Sequence, residues 1–418
     1  MRRILGIGLL AVAAAAVGCG STSRPPSADA AGRDAGASDA ALATSPPAMT
    51  GLAVVNSDFA TTSLSILDAT GALVRADCVD SATGAHGSSS KTISGDAVLP
   101  SQPQLAGEVV IVDRGNVALT FVDPGACKIV RQIPVPGPRT NPHDVVMLSD
   151  HKAYVTRYDL NLAANDPTLA GNDIAVIDPS TGAERGRIDL DAYASPVGGA
   201  TVLARPDRAL LVDGKVLVSL DEIDQGFASY GEGKVVVIDP TNDTVTDSVP
   251  LTGLANCEGM TSVDAGNTLL VACGGPFAGS TAQSGIAVVD LTVSPPALTR
   301  VIPSAAFDRR PLDMGWVLAL PPAGGGTRAF AVTNDPNDVD PDALFAFDYV
   351  AGTVARVATS GPYTLGRPAG LPGLLLMPNS TRSMPRIDLY DVTGAPTATT
   401  TFTSDPVTNL PAQEIAPY

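Results

Sequence analysis

Short runs of β-branched and other apolar residues recur from about residue 49 onwards, and each run ends in an aspartate followed by turn-forming residues. Successive copies are 43 to 61 residues apart. Runs of this length, bounded by Pro, Gly, Asn and Thr, are typical of β-strands, and the sequence shows no sustained helical periodicity. The pattern therefore predicts an all-β protein. The aspartates that end the seven runs are Asp68, Asp123, Asp178, Asp239, Asp290, Asp348 and Asp391.

Each unit contains further strands on both sides of this run. We assign innermost strands to NPHDVVML, ATVLARPD, CEGMTSV and DMGWVLAL, and second strands to segments such as HKAYVTRY and GKVLVSLD. Seven units of four strands predict a seven-bladed β-propeller of four-stranded antiparallel blades. The first unit lacks an innermost strand, and the chain ends in an unassigned strand, TNLPAQEIAPY. We expect this C-terminal strand to pair into blade 1, because closing the ring removes exposed strand edges.

Blade 3 carries a family resemblance. Its segments NPHDVVMLSDHKAYVTRYDL and NDIAVIDPSTGAERGRIDL resemble the repeat of the YVTN family of seven-bladed propellers. Tyr154, Val155 and Thr156 stand at the signature, and Arg157 replaces the family's Asn. That family includes surface-layer proteins, lipoproteins and lactonases, so the resemblance implies an architecture more directly than an activity.

The N-terminus has the features of a bacterial lipoprotein signal. Residues 1–19 contain two arginines, an apolar run over 4–17 that is too short to span a bilayer, and small residues before Cys19. Residues 16–19 resemble a lipobox with Ala16 in place of Leu, which implies lipidation of Cys19; the alternative is a secreted protein cleaved after an alanine. Residues 20–48 predict a disordered Ser/Ala/Pro/Gly tether, and residues 49–418 the propeller. Gly20 resembles the residue that directs lipoproteins to an outer membrane.

Composition narrows the choice of partners. The chain has 418 residues, 43 Asp and Glu against 26 Lys and Arg, and a net charge of −17. This charge repels phosphate backbones and excludes nucleic acid as a partner. A hydrophobic fraction of 44% is sufficient for a folded core. We expect a monomer that contacts the membrane through its lipid only and engages an envelope protein, a glycan or a surface polymer.

Four cysteines remain after Cys19, and they allow three pairings. A three-residue hairpin loop at 264–266 would place Cys257 opposite Cys273, within disulfide distance. This predicts a Cys257–Cys273 disulfide; two free buried thiols are the alternative. Cys78 and Cys127 would pair only by elimination, so their pairing stays open.

Candidate catalytic groups lie at the starts of innermost strands, which line the channel of a propeller. His143, Glu258 and Asp313 occupy such positions in blades 3, 5 and 6. They could form a polar ring in which the imidazole acts as a base or ligand and the acids orient it or bind a cation. The alternative is that these residues are polar only because channel mouths are hydrated.

The connections between second and third strands are long in blades 3 to 6, and equivalent connections share one face of a propeller. Extended loops on a rigid face are common binding surfaces, although drift in tolerant loops would look the same. We select six candidate binding residues from these segments: Tyr158, Asp159, Phe227, Tyr230, Phe277 and Asp335.

One of these loops has the alternating acids of a calcium site, at Asp338, Asp340 and Asp342. Ala343 and Tyr349 replace the Gly and Glu that an EF-hand requires, so a solvated acidic loop is the alternative. We otherwise expect no cofactor.

The sequence favours a lipid-anchored, non-catalytic binding or scaffold module at the cell envelope. A lactonase-like hydrolase or lyase using His143 is the second hypothesis, and a purely structural envelope component is the third. The channel-facing segments offer mainly acids, with Arg205 and Arg367 as exceptions, whereas an anionic substrate would require a basic or metal-bearing pocket.

Overall fold

The strands predicted from the apolar runs assemble into a ring of four-stranded antiparallel sheets. A computed structural model describes residues 41–81, 90–277, 281–320, 326–334, 341–381 and 384–418. Within these residues, seven four-stranded sheets follow one another in chain order, and each runs from an inner strand at the central channel to an outer strand at the periphery. The protein is therefore a seven-bladed β-propeller, as predicted.

The strands of the seven blades follow the same order in each unit. From blade 1 to blade 7, the inner strands are Ala412–Pro417, Ala97–Val98, Pro142–Ser149, Pro206–Val212, Cys257–Val263, Leu312–Ala319 and Ala369–Leu371. The second strands are Leu52–Ser57, Val109–Asp113, Lys152–Leu160, Lys215–Leu220, Thr268–Cys273, Arg328–Thr333 and Leu374–Asn379. The third strands are Thr62–Leu67, Ala118–Asp123, Gly171–Ile177, Lys234–Asp239, Gly285–Asp290, Ala343–Asp348 and Arg386–Asp391. The outer strands are Leu73–Asp80, Lys128–Pro134, Glu184–Asp189, Thr244–Pro250, Ala297–Pro303, Val354–Thr359 and Thr397–Phe402.

A few short elements lie between these strands. A small two-stranded sheet pairs Val202–Leu203 with Ile223–Asp224. Single 3-10 turns occur at Pro167–Leu169, Asp191–Tyr193, Asp264–Gly266, Thr281–Gln283 and Ser304–Ala306. None of the helices in the described segments has the length and apolarity to cross a bilayer.

The C-terminal strand closes the ring, as the sequence predicted. It pairs antiparallel with the second strand of blade 1, with Pro417 opposite Leu52. The closure extends beyond the ladder, because the N–H of Thr50 donates to the carbonyl of Tyr418 at 2.6 Å. A side chain at Gly51 would meet the carbonyl oxygen of Leu67 at 2.6 Å, so this junction requires glycine. Blade 1 is thus assembled from the two ends of the propeller.

The core consists of apolar layers between adjacent blades. In blades 3 and 4, Ile174, Tyr154 and Val218 are fully or almost fully buried in one such layer. Burying an aliphatic side chain of this size contributes roughly 1.5–3 kcal/mol relative to leaving it exposed. The outer strands alternate between exposed and partly buried positions, as expected where one side of a strand faces solvent.

The two ends of the ring differ. At one end the inner strands begin and the second strands end, so the long connections after residues 160, 220, 273 and 333 all leave from this end, which we call the loop face. At the opposite end, which we call the turn face, each third strand turns into its outer strand. The seven predicted aspartates all lie at the turn face, directly at or after the end of a third strand.

Each of these seven aspartates organises the turn that follows it. Every one accepts a hydrogen bond from a backbone N–H two residues further along the chain, at 2.8 to 2.9 Å. A carboxylate in this position mimics a backbone turn and satisfies donors that no strand can satisfy. Donors near Asp239, led by the ammonium of Lys215, lower its pKa to about 2. The recurring aspartates are therefore turn-forming residues.

The predicted Cys257–Cys273 disulfide is present, and a second disulfide joins Cys78 and Cys127, whose pairing the sequence left open. Cys78 and Cys127 link the outer strand of blade 1 to the turn before the outer strand of blade 2, with a Cα–Cα distance of 4.8 Å. Cys257 pairs with Cys273 at a Cα–Cα distance of 3.9 Å. The predicted three-residue hairpin loop is wrong, because Val263 pairs with Thr268 and four residues lie between them. A bulge between Cys257 and Met260 shifts the register by one residue and restores the pairing of the two cysteines.

The described chain begins on the turn face. The N–H of Ala43 donates to the carbonyl of Leu148 at 2.7 Å, and the N–H of Gly214 donates to the carbonyl of Thr44 at 2.8 Å. Leu42 packs against the apolar layer of blades 3 and 4. The last residues of the predicted tether thus contact two blades. Cys19 and the signal segment lie outside the described residues.

Candidate functional site

Four consecutive blades place a polar residue at the same position of their inner strands. The second residue of the inner strand is His143 in blade 3, Asp207 in blade 4, Glu258 in blade 5 and Asp313 in blade 6. Inner strands of a propeller run in the same direction around the channel, so residues at one register position form an arc. This arc lies at the loop-face mouth of the channel.

His143 and Asp207 form a buried pair within this arc. The Nδ1 atom of His143 lies 2.6 Å from Oδ2 of Asp207, and Asp207 is 1% exposed. The imidazole stacks on the ring of Tyr158 with a centroid distance of 4.2 Å and an interplanar angle of 3°. Burial opposes ionisation of Asp207, but pairing with His143 outweighs burial and lowers the pKa of this carboxyl. The Nε2 atom of His143 has no hydrogen-bond partner among the described residues.

A second pair of residues lies near the loop-face ends of the second strands, with Tyr158 inside Lys152–Leu160 and Asp221 directly after Leu220. Tyr158 and Asp221 occupy equivalent positions, since the N–H of each donates to the carbonyl of the residue two before the polar arc position, Asn141 and Arg205. The hydroxyl of Tyr158 donates to Oδ2 of Asp221 at 2.9 Å. Asp221 is fully buried, and its Oδ1 atom has no partner among the described residues.

Three carboxyl groups converge at this point. One carboxylate oxygen from each of Asp207, Asp221 and Glu258 lies within 4.8 Å of the others. Burial, together with repulsion by Glu258 and Asp207, raises the pKa of Asp221 well above its ordinary value. Burial and repulsion by Asp207 likewise raise the pKa of Glu258. Farther along the arc, burial raises the pKa of Asp313 to about 7. The mouth therefore concentrates carboxyl groups in a poorly solvated place, where burial opposes their ionisation.

Two arginines lie in the channel next to this cluster. Arg208 Nε lies 3.1 Å from Oδ1 of Asp207, and Arg367 donates to the carbonyls of Leu99 and Pro100 at 2.9 and 3.0 Å. Each guanidinium group lies 5.1 Å from the centre of the Trp316 ring and makes a cation–π contact with it. Burial and the nearby Arg208 lower the pKa of Arg367 to about 10.

The loop face opens into a cavity of about 1030 Å³ above the arc. Glu258, Asp313 and Trp316 contribute to its floor, and Phe59, which is 73% exposed, lies in its wall. Acidic side chains outnumber basic ones along the lining, and the basic Arg114 is already bonded to Asp96 at 2.7 Å. The electrostatic field in the cavity therefore disfavours anionic ligands.

Arg205 contacts three of the six predicted binding residues, and two more join this group through Phe227. Its fully buried guanidinium lies 4.9 Å from the ring of Tyr158, 4.1 Å from the ring of Phe227, and bonds to Asp159 at 2.6 Å. Phe227 is also 6.1 Å from Phe277, and Tyr230 makes an edge contact with Phe277 at 5.9 Å. Tyr158 is 5% exposed, so it belongs to the buried site, whereas Phe227 and Phe277 are each 41% exposed. Asp335 lies outside the described residues.

Only part of the predicted calcium loop lies within the described residues. Asp338 and Asp340 lie outside the described residues. Asp342 is buried, and its carboxylate accepts hydrogen bonds from the N–H groups of Tyr363, Thr364 and Leu365 at 3.1, 2.6 and 2.9 Å. This carboxylate holds the connection that leads into blade 7.

Sequence reasoning missed two residues of the site. The innermost strand of blade 4 was assigned to ATVLARPD, but the strand begins at Pro206 and the residues before it belong to the small separate sheet. In that assignment Asp207 falls at the far end of its strand. The signal was the dipeptide that begins the strand, because Pro206 and Asp207 match Pro142 and His143. Asp221 could have been found by aligning the ends of the second strands of blades 3 and 4, which places it at the position of Tyr158.

Comparison with known proteins supports the fold alone. No protein-family model and no curated protein matches the chain. Solved structures do match. A putative 6-phosphogluconolactonase from Bacteroides uniformis superposes with a TM-score of 0.53 at 14% identity, covering 88% of this chain and 100% of its own.

The chain shares the propeller fold of these proteins. A second putative 6-phosphogluconolactonase, from Bacteroides fragilis, gives a TM-score of 0.51 at 12% identity over 92% of this chain and 100% of that one. The dihydro-heme d1 dehydrogenase NirN gives 0.52 at 12% identity over 88% and 67%. At such low identity the likeness assigns no substrate and no catalytic residue.

Proposed function

We propose that this protein is an extracytoplasmic, non-catalytic binding module at the cell envelope, anchored by lipid on Cys19, and that it binds a glycan in the loop-face cavity. The observation that carries this proposal is the pair of unpartnered buried atoms beside the carboxyl cluster whose Glu258 lines the cavity, namely His143 Nε2 and Asp221 Oδ1. Leaving a buried polar atom without a partner costs about 1–3 kcal/mol. Such a cost is retained where a ligand supplies the missing hydrogen bonds.

The two disulfides indicate an oxidising, extracytoplasmic environment. This is the compartment in which envelope glycans occur. The resemblance of residues 1–19 to a lipoprotein signal supports attachment to the membrane rather than free secretion.

The chemistry of the cavity favours a hydroxyl-rich ligand. Carboxylates such as Glu258 and Asp313 accept hydrogen bonds from hydroxyl groups, and the rings of Phe59 and Trp316 offer apolar faces. A small number of polar groups within a partly apolar concavity is the usual composition of a ligand site. The acidic excess disfavours phosphorylated sugars, so we expect neutral or amino-bearing saccharides to bind.

The test is calorimetric titration of the purified full chain with chitotriose, maltotriose, glucosamine and glucose 6-phosphate. We expect binding of at least one unphosphorylated sugar. Phe59→Ala should weaken that binding about tenfold, because it removes an exposed ring from the cavity wall without disturbing the core. Val350→Ala is the matched control, since Val350 is 60% exposed and lies in a turn on the turn face of blade 6, away from the loop-face cavity. Binding of the phosphorylated sugar alone, or of none of the four, would contradict the proposal.

A second candidate function is a hydrolase or lyase with His143 as base. The specific observation in its favour is that a buried carboxylate holds Nδ1 of His143 while Nε2 remains unpartnered, which is the arrangement of a general base. The fold likeness to putative lactonases is consistent with this alternative. It is tested by assaying lactone hydrolysis with an uncharged lactone and comparing His143→Ala with the unchanged chain. Turnover that falls a hundredfold or more in the variant would favour the enzyme, and equal turnover would exclude His143 as base.

A further inference from the structure

We propose that Asp207, Asp221 and Glu258 together bind one calcium ion at the loop-face mouth of the channel. This inference deepens the proposed function and rests on it, because the ion would form part of the floor of the same cavity. The site is distinct from the acidic loop at 338–342 that the sequence suggested.

The three ligands come from rigid elements of two adjacent blades. Asp207 and Glu258 are the second residues of neighbouring inner strands, and Asp221 directly follows a second strand. Sites built on strands hold their ligands more accurately than sites on loops. Hydrogen bonds fix the two aspartates further, since His143 contacts one oxygen of Asp207 and Tyr158 donates to one oxygen of Asp221. Such contacts behind metal ligands are a common feature of metal sites.

The spacing of the oxygens accommodates a calcium ion. One oxygen of each carboxylate lies within 4.8 Å of the other two. Two oxygens on opposite sides of a calcium ion are about 4.6–5.2 Å apart, given calcium–oxygen bonds of 2.3–2.6 Å. Magnesium retains several waters and is usually bound through one or two carboxylates, so three converging carboxylates favour calcium. A donor set made only of carboxylate oxygens also favours a hard cation over zinc or copper.

The contacts of the carboxylates leave a place for positive charge. Oδ1 of Asp221 is fully buried and has no partner among the described residues. The basic contacts in the cluster, from His143 and Arg208, both go to Asp207. Within the described part of the chain, no Lys or Arg forms an ion pair with Asp221 or Glu258. Buried carboxylates are stable in the ionised form only when paired or bound to a metal, and a divalent ion neutralises both.

The remaining coordination positions point to the role of the ion. Calcium takes six to eight oxygen ligands, and three carboxylates leave several positions for water or for a ligand. Glu258 also lines the 1030 Å³ cavity, so these positions are accessible from it. Hydroxyl groups of a bound saccharide could then complete the shell, which would couple calcium binding to glycan binding.

The experiment is calorimetric titration of the EDTA-treated, dialysed full chain with calcium chloride at pH 7.5. We expect one site with a dissociation constant below 1 mM and a rise of several degrees in the melting temperature. Glu258→Gln and Asp221→Asn should each weaken binding at least tenfold. Asp290→Asn is the charge-matched control, because it removes one carboxylate from the turn face while the amide keeps the acceptor of its turn.

A folding defect is separated from loss of the site by melting the variants without calcium. Glu258 is only partly buried, so Glu258→Gln should melt no lower than the unchanged chain in EDTA while failing to gain stability from calcium. Absence of calcium binding at 10 mM, equal binding by Glu258→Gln, or a preference for magnesium over calcium would overturn the inference. Sugar binding that persists in EDTA while calcium fails to bind would refute this inference and leave the proposed function intact. Calcium binding without any sugar binding would contradict the proposed function and leave the calcium site supported.

Discussion

The two faces of this propeller use the same residue type in opposite ways. On the turn face, seven aspartates each accept backbone hydrogen bonds, and donors such as the hydroxyl of Thr292 lower the pKa of Asp290. On the loop face, Asp221 and Glu258 lie in a cluster of like charges, and burial raises the pKa of both. An acid that recurs at the same position in every blade therefore stabilises the fold. A buried acid that occurs in only some blades and keeps an oxygen without a donor, as Asp221 does among the described residues, indicates a site.

Asp342 tests this distinction between the two groups of acids most directly. It lies near the loop face but has the contacts of a turn-face residue. Its buried carboxylate accepts three backbone N–H groups. Asp342→Ala should therefore lower the free energy of unfolding by about 3 kcal/mol, since it leaves buried donors unsatisfied. Thermal melting measures the loss. A variant as stable as the unchanged chain would show that contacts to backbone donors do not distinguish the two groups of acids.

Asp313 belongs to the loop-face acids, and we expect its replacement to stabilise the protein instead of destabilising it. Burial, with repulsion by Asp342, raises its pKa to about 7, so the native state retains a proton that the unfolded state releases near pH 4. The contribution of this group to stability is present below pH 4 and is lost as the pH rises to about 7. Asp313→Asn should raise the melting temperature by several degrees at pH 8 and leave it unchanged at pH 4. An equal effect at both pH values would show that the carboxyl ionises normally.

Asp348 represents the ordinary turn-face aspartates, and its replacement measures what one of them contributes to stability. It accepts hydrogen bonds from the N–H groups of Val350 and Ala351 at 2.9 and 2.7 Å. Asp348→Ala should reduce stability by about 1 kcal/mol, as the loss of a capping side chain does, whereas Asp348→Asn should retain most of it. Chemical denaturation of the two variants side by side provides the measurement. If Asn and Ala are equally destabilising, the charge matters more than the acceptor.

The smallest effect is expected at Asp178. Burial opposes the ionisation of Asp178, but hydrogen bonds from Ser180 and Arg185 outweigh burial and lower the pKa of this carboxyl to about 2. The stability that depends on its charge is present above pH 4 and is lost as the pH falls through 2. Asp178→Asn should cost about 0.5 kcal/mol at pH 6, because the pair with Arg185 is partly exposed, and nothing at pH 2. Melting curves across this range test the difference, and a constant gap between the two proteins would argue against it.

Much of the fold could be predicted from the sequence because the propeller repeats its signals. The spacing of the seven aspartates gave the number of blades, and the missing inner strand of blade 1 gave the closure. The Cys257–Cys273 pair was right although its loop was wrong, since the extra loop residue and the bulge compensate each other. Such compensation cannot be seen in a sequence, because bulges depend on packing in three dimensions.

The site was only partly predictable. His143, Glu258 and Asp313 were found because they begin apolar strands, but Asp207 was hidden by an error of a few residues in the start of its strand. The pairing of His143 with Asp207 joins residues 64 positions apart, so local patterns carry no signal for it. The link made by Arg205 among the aromatic residues of the loops was equally invisible, since it depends on a fully buried guanidinium.

The closure of blade 1 determines the order in which this molecule can fold. The side chain of Gln413 donates to the carbonyl of Ser57, 356 residues earlier in the sequence. The first blade therefore cannot close until the last strand of the ring is available, and the high contact order predicts slow folding. Because the two ends meet, a circular permutant that joins residue 418 to residue 49 and opens another blade at an exposed hairpin should fold to the same ring.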